Sequence, residues 1–142
     1  MASKTSSIIY SSMFSIVIIC TITCSSLNAQ SRRTKPKAFL VELSDTISDY
    51  QQVFSGHPQT ASMRSGLVVL LPSKSVGVHS TENYEEAVVV LSGSGEMRIT
   101  GGETLYLKPN SVAYCPPHTE HDVINTSSQP LRYLYIVAKR RH

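Results

Sequence analysis

The chain has 142 residues, with 13 lysines and arginines against 10 aspartates and glutamates, for a formal net charge of +3. A balance this even excludes nucleic acid and anionic membrane surfaces as partners held by charge alone. The length is enough for one compact core and too short for a second domain beside it.

The N-terminus sets the compartment. Lys4 precedes the apolar run IIYSSMFSIVIIC, and small and polar residues follow up to Ala29, which is the layout of a secretory signal peptide. Its strongest apolar stretch, Met13 to Cys20, is shorter than the roughly 20 residues a stable membrane span needs, and serine interrupts it. Residues 1–29 are therefore expected to be removed after Ala29, leaving a secreted or periplasmic protein. Cys20 and Cys24 leave with them, so Cys115 stands alone and no intrachain disulfide forms. Lipidation at Cys24 is the alternative processing route, but Thr23 is larger than the residue expected before such a cysteine.

Residues 30–59 read as a lead-in. The basic runs RRTKPK at 32–37 and KRRH at 139–142 are flanked by polar residues and read as solvated tails. The segment SDTISDYQQVF at 44–54 could hold one short peripheral helix opened by a Ser or Asp cap, with Gly56-His57-Pro58 ending it.

Residues 60–138 read as eight short strands: Ala61 to Leu71, Val76 to Ser80, Glu86 to Leu91, Glu96 to Thr100, Thr104 to Leu107, Ser111 to Cys115, His121 to Asn125 and Leu131 to Ala138. Each is rich in Val, Ile, Leu, Tyr or Thr and bounded by Pro, Gly, Asn or Ser. Gly101-Gly102 marks a tight hairpin. Evenly spaced short strands of this kind make an all-β sandwich, jelly roll or barrel.

Side chains alternate along a strand, so His79 and Thr81 share one face, while Val78 and Ser80 take the other. The turn ENYE then reverses the chain, and Glu86, Val88 and Val90 share a face on the return. If these two strands pair, His79 and Glu86 lie about 5 Å apart. An imidazole beside a carboxylate in an apolar interior requires compensation, and a metal ion supplies it. A third ligand is delivered by CPPHTEHDVIN, whose Pro-Pro turn leads into a strand with His121, Val123 and Asn125 on its inward face.

These residues resemble the cupins, double-stranded β-helix proteins that hold a metal on two sequence motifs. His79, Glu86 and Gly93 match the first motif, including the six-residue step from Glu86 to Gly93, and Pro116, His121 and Asn125 match the second at its spacing. The resemblance spans residues 60–138 and implies a cupin-type jelly-roll barrel, a bound metal and a homodimer. The sequence departs from the pattern at Thr81, which stands where the first motif has its second histidine. It departs again at Asn110 and His118, which stand where the second motif has glycine, and the opening glycine of the first motif is missing.

The retained set, His79, Glu86 and His121, suits Fe, Mn, Ni, Cu or Zn with coordination positions left open. Glu85 is the rival to Glu86 for the carboxylate role, Glu82 could reach the vacancy left at Thr81, and the spacing to Gly93 favours Glu86. Thr81 is expected to hydrogen-bond a metal-bound water or ligand, and His118 to act as a proton donor at the mouth or to stand as an exposed loop residue. Cys115 is expected to pack inward as a small apolar residue, with Val88, Val90, Met97 and Val123 lining the interior and Arg98 facing out. No arginine is identified as pointing inward. Tyr84, Tyr106, Tyr114, Tyr133 and Tyr135 are expected in the core or at an interface rather than as substrate clamps; Tyr133 and Tyr135 share a face with Leu131 and Val137, a face that could also form a dimer surface.

Two functions fit this reading. The first is a metal-dependent enzyme of dioxygenase, isomerase or lyase type acting on a small organic substrate. The second is a non-catalytic module binding a sugar or organic acid in the same pocket.

Overall fold

The computed structural model describes residues 35–139; the expected signal peptide and the last three residues of the basic tail lie outside them. Among the described residues, nine strands form two antiparallel sheets. The first runs β1 (Tyr50–Ser55), β2 (Arg64–Leu70), β9 (Leu131–Lys139), β4 (Tyr84–Ser92), β7 (Val112–Cys115), and the second runs β3 (His79–Ser80), β8 (Glu120–Ile124), β5 (Gly95–Ile99), β6 (Thr104–Leu107). The architecture is the expected all-β jelly-roll barrel. No helix among the described residues is long and apolar enough to cross a membrane.

The two inner faces meet in one core. On β4, Glu86, Val88 and Val90 are buried while Ala87 and Val89 are only partly so, the period of two expected of a strand with one face inward. Met97 from β5, Val123 from β8, and Leu131 and Tyr133 from β9 close the core from the other strands. Each fully buried aliphatic side chain contributes roughly 1.5–3 kcal/mol.

Three expectations require correction. The segment proposed for a helix is not helical: Ser44 uses its hydroxyl to accept from Thr46 N–H at 3.2 Å in a local turn, and residues from Tyr50 onward pair with β2. Burial of Val53 and the ladder to β2 outweigh a cap signal that had no apolar helical face behind it. The barrel therefore begins at β1 rather than at residue 60. The lead-in before it is tied down, because the Arg132 guanidinium bonds Asp45 Oδ1 at 2.9 Å and also donates to the Ser44 carbonyl.

Second, β3 and β4 do not pair. They belong to opposite sheets, so His79 and Glu86 face each other across the interior. Third, the face of β9 that carries Tyr133 and Tyr135 is not a dimer surface: it points into the barrel, leaving Leu131 and Tyr133 buried.

Two motif residues hold this frame together. Asn125 is fully buried, and its amide donates to the carbonyls of Leu70 and Gln129 at 2.8 Å while its Oδ1 accepts from Ser127 N–H at 2.9 Å. Gly93 has φ +76, and a Cβ there would sit 2.2 Å from the Pro130 carbonyl oxygen and 2.8 Å from Leu131 Cα.

A contrast of two glycines tests that close approach. Gly101 also has a positive φ, +69, but a Cβ there meets nothing within 4 Å. Gly101→Ala is expected to cost about 1 kcal/mol of backbone strain, whereas Gly93→Ala should cost on the order of 3 kcal/mol or more. Urea unfolding of the two variants checks this; equal losses would show that the Gly93 contact is not rigid.

Candidate metal centre

Strand register assembles the site. The β3–β8 ladder sets His79 opposite His121, and their rings lie 4.3 Å apart at 55°. From the facing sheet, β4 points Glu86 inward, in one row with Cys115 of β7 on one side and Val137 of β9 on the other. Glu86 Oε2 comes within 3.2 Å of His121 Nε2. One donor atom from each of His79, Glu86 and His121 lies within 4.8 Å of the others.

The imidazoles are oriented from behind. His79 Nδ1 is 2.9 Å from the Gly77 carbonyl, so this nitrogen carries the proton and Nε2 is left with its lone pair. His121 Nδ1 faces the Thr119 carbonyl at 3.5 Å and Cys115 Sγ at 3.4 Å. Burial is the largest influence on His121 and pulls its pKa down. The Glu86 carboxylate, the Thr119 carbonyl and Asp122 more than offset it, so the value stands above the ordinary 6.5. Burial, reinforced by the Glu86 charge, pushes the Cys115 thiol up to about 11. Cys115 is therefore an un-ionised packing residue, as expected.

One atom decides whether a metal fits. His121 Nε2 is buried without a hydrogen-bond partner, since Glu86 is near enough to attract it but off the line of a hydrogen bond. An orphaned buried polar atom of this kind costs about 1–3 kcal/mol. Metal bonds of about 2.1 Å place neighbouring ligand atoms roughly 3.0–3.4 Å apart, which matches the 3.2 Å between Nε2 and Oε2. The donor set of two imidazoles and a carboxylate fits a divalent transition metal.

The remaining candidates sort by position. Glu85 is exposed and accepts from Tyr114 Oη at 3.3 Å on the outer face. Thr81 is buried, but its hydroxyl donates to the Pro116 carbonyl at 2.7 Å and accepts from Thr119 N–H at 3.0 Å. These bonds hold the loop before His121, so Thr81 is a positioning residue, and it lines the same cavity as His79 and Glu86. His118 is exposed and lines a separate shallow depression with Ser80, Ile99 and Glu120, so the structure does not bring it to the trio. It has φ 59, and Asn110 has φ 61; the two residues that replace motif glycines adopt the left-handed backbone that glycine would supply.

His79 and Glu86 line a cavity of about 510 Å³, walled by Phe54, Val68, Val123, Tyr133 and Tyr135, with Thr81, Glu82 and Tyr84 also lining it, while His121 lies buried behind them. Arg64 lines it too, a residue the sequence reading did not single out. The signal was present in RSGLVVL, where Arg64 alternates with Gly66, Val68 and Leu70, but the inward face is fixed only by pairing with β9.

The fold and the site together define a small β-barrel with two imidazoles and a carboxylate clustered inside, two of the three residues lining a cavity. Residues 66–137 match the family model described as Cupin domain, and the chain belongs to the cupin family. A Thermus thermophilus structure is 28% identical, with a TM-score of 0.55 over 66% of this chain and 86% of that one. A Bacillus halodurans structure is 17% identical with a TM-score of 0.63, covering 75% of this chain and 85% of that one. The cupin domain of Schizosaccharomyces pombe Cnp3 is 19% identical with a TM-score of 0.58, and the match covers 64% of either chain. No curated protein matches the chain.

Glu86→Ala and His121→Ala are expected to abolish stoichiometric zinc binding while Glu85→Ala retains it, as read by elemental analysis of folded protein. Because protons compete for a His121 held above 6.5, zinc affinity should fall with decreasing pH, starting above that value. A pH-independent affinity, or full metal in Glu86→Ala, would place the ion elsewhere. For His118, replacement by Gly relieves left-handed strain and should raise stability by up to about 1 kcal/mol with metal content unchanged. Loss of metal in that variant would bring His118 back into the site.

Proposed function

We propose that the protein is an exported, metal-dependent cupin enzyme of dioxygenase, isomerase or lyase type, acting on a small organic substrate in the barrel. The observation that carries this reading is the buried, unpartnered Nε2 of His121 beside Glu86, which with His79 lines a cavity of about 510 Å³. His79, Glu86 and His121 hold the ion, and Fe, Mn, Ni, Cu and Zn all suit the donor set. When bound, such an ion supplies Lewis acidity and open coordination positions.

The chain's own residues do the rest. The apolar walls exclude water and strengthen electrostatic interactions inside the cavity. Thr81 fixes the Pro116–Thr119 turn that leads into His121. Glu86 and, at the rim, Glu82 are the lining carboxylates able to accept a proton from a bound substrate. Export through residues 1–29 and pairing as a homodimer belong to the same proposal.

The second reading is a non-catalytic binding module for a sugar or organic acid. It is favoured by the placement of His118 outside the cavity and by the commitment of the Thr81 proton, which leave few groups for acid–base work.

The deciding experiment starts from protein secreted by its own leader and purified without chelator. The mature chain should begin at Gln30 by intact mass, sediment as a dimer, and carry near-stoichiometric metal. A panel of small organic acids and enols is then followed by proton NMR and oxygen uptake. Metal-dependent turnover supports the enzyme, and saturable binding without turnover supports the module. Absence of metal sinks both metal-centred readings, and an unprocessed N-terminus sinks export.

A further inference from the structure

The charge at the cavity mouth is arranged in a way that the metal centre does not use. Arg64 sits on the inner face of β2 opposite Val137, and Val137 sits opposite Glu86 on the other side. Arg64 and Glu86 thus occupy one row of the sheet with a single strand between them, roughly 10 Å from Cα to Cα.

Arg64 takes part in no ion pair among the described residues. Its guanidinium lies over the Tyr84 ring with Cζ 4.6 Å from the centroid. Stacking occupies the face of the guanidinium and leaves its N–H edges free to donate. Lys139, paired with Tyr84 and two residues beyond Val137 on the same face of β9, adds a second cation beside it. Both line the small depression adjoining the cavity.

The opposing charges are Glu86 and Glu82, which line the cavity. A divalent ion on the trio would turn this balance positive, so an anionic ligand is the one that restores neutrality. The planar guanidinium edge, left free by the stacking on Tyr84, matches a carboxylate held by two parallel hydrogen bonds, and Phe54, Val68 and Tyr133 beside it suit the hydrocarbon body of an organic acid.

We infer that Arg64 is the specificity-determining residue of the cavity and that the ligand is a small organic acid. Its carboxylate meets Arg64, its hydrocarbon body packs on Phe54, Val68 and Tyr133, and its far end reaches the trio. The inference rests on the proposed function for the metal end alone; the Arg64 end stands without it.

The test uses the full mature protein, both zinc-loaded and metal-free, with benzoate and 3-phenylpropionate each titrated calorimetrically against its neutral amide. Wild type should prefer the acid by about tenfold or more, and Arg64→Gln should bring acid and amide to within about threefold. Zinc content should be unchanged in the variant. Arg64→Lys, which retains the charge but loses the planar fork stacked on Tyr84, should fall between them. If the chain binds no zinc, the metal reading fails, while the Arg64 dependence in metal-free protein still decides this inference. Equal affinity for acid and amide in wild type, a preference that survives Arg64→Gln, or no acid binding below about 10 mM would overturn it.

Discussion

A buried imidazole nitrogen with nothing aligned to receive it is the constraint around which this barrel is organised. His121 is enclosed completely, and its Nε2 faces a carboxylate that is close but not hydrogen-bonded. Isolated in an apolar interior, such a pair costs more than it returns. Two sheets hold it in place nonetheless, since His121 is fixed by the β3–β8 ladder and Glu86 by the ladders from β4 to β7 and β9. The frame keeps the Nε2 of His121 and the Oε2 of Glu86 3.2 Å apart and brings a donor atom of His79 within 4.8 Å of both.

The motif residues that never touch the centre explain how the frame stays rigid. Asn125 ties the end of β8 to the Leu70 and Gln129 carbonyls, and Gly93 lets the turn after β4 pass against Pro130 and Leu131. Both act at the end of the barrel where β9 begins, and β9 pairs with both β2 and β4. A shift there would move Glu86 out of row. Half of the motif signature is thus packing, and half is chemistry.

This division explains what the sequence could reveal. The trio was legible because its spacing is local: His121 and Asn125 share the inward face of one strand, and Glu86 lies at a fixed step from Gly93. The interior residues Val88, Val90, Met97 and Val123 were legible for the same reason, by alternation. Arg64 was not, because alternation along β2 leaves open which face is inward, and only the pairing with β9 decides it. The His79 and Glu86 relation was misread for a similar cause: two strands joined by a short turn usually pair, but here the turn crosses from one sheet to the other. β1 was misread as helix because its polar Gln51 and Gln52 carry no strand pattern, and its burial at Val53 comes from long-range packing. His118 and Asn110 looked like departures from the family pattern, yet their backbones keep the left-handed conformation of the glycines they replace.

Replacing the second histidine of the first motif by Thr81 does more than remove a ligand. Its hydroxyl is bonded to the loop that positions His121, so that position has become structural. Thr81 lines the cavity, where the inner row of the first sheet runs from Glu86 past Val137 to Arg64. Under the proposed function, a ligand lying along that row would meet a metal end and the cationic end at once, with apolar contact between. Binding energy from Arg64 and the walls then serves to orient the reacting end over the trio, which matters most in a site with few other groups to hold it.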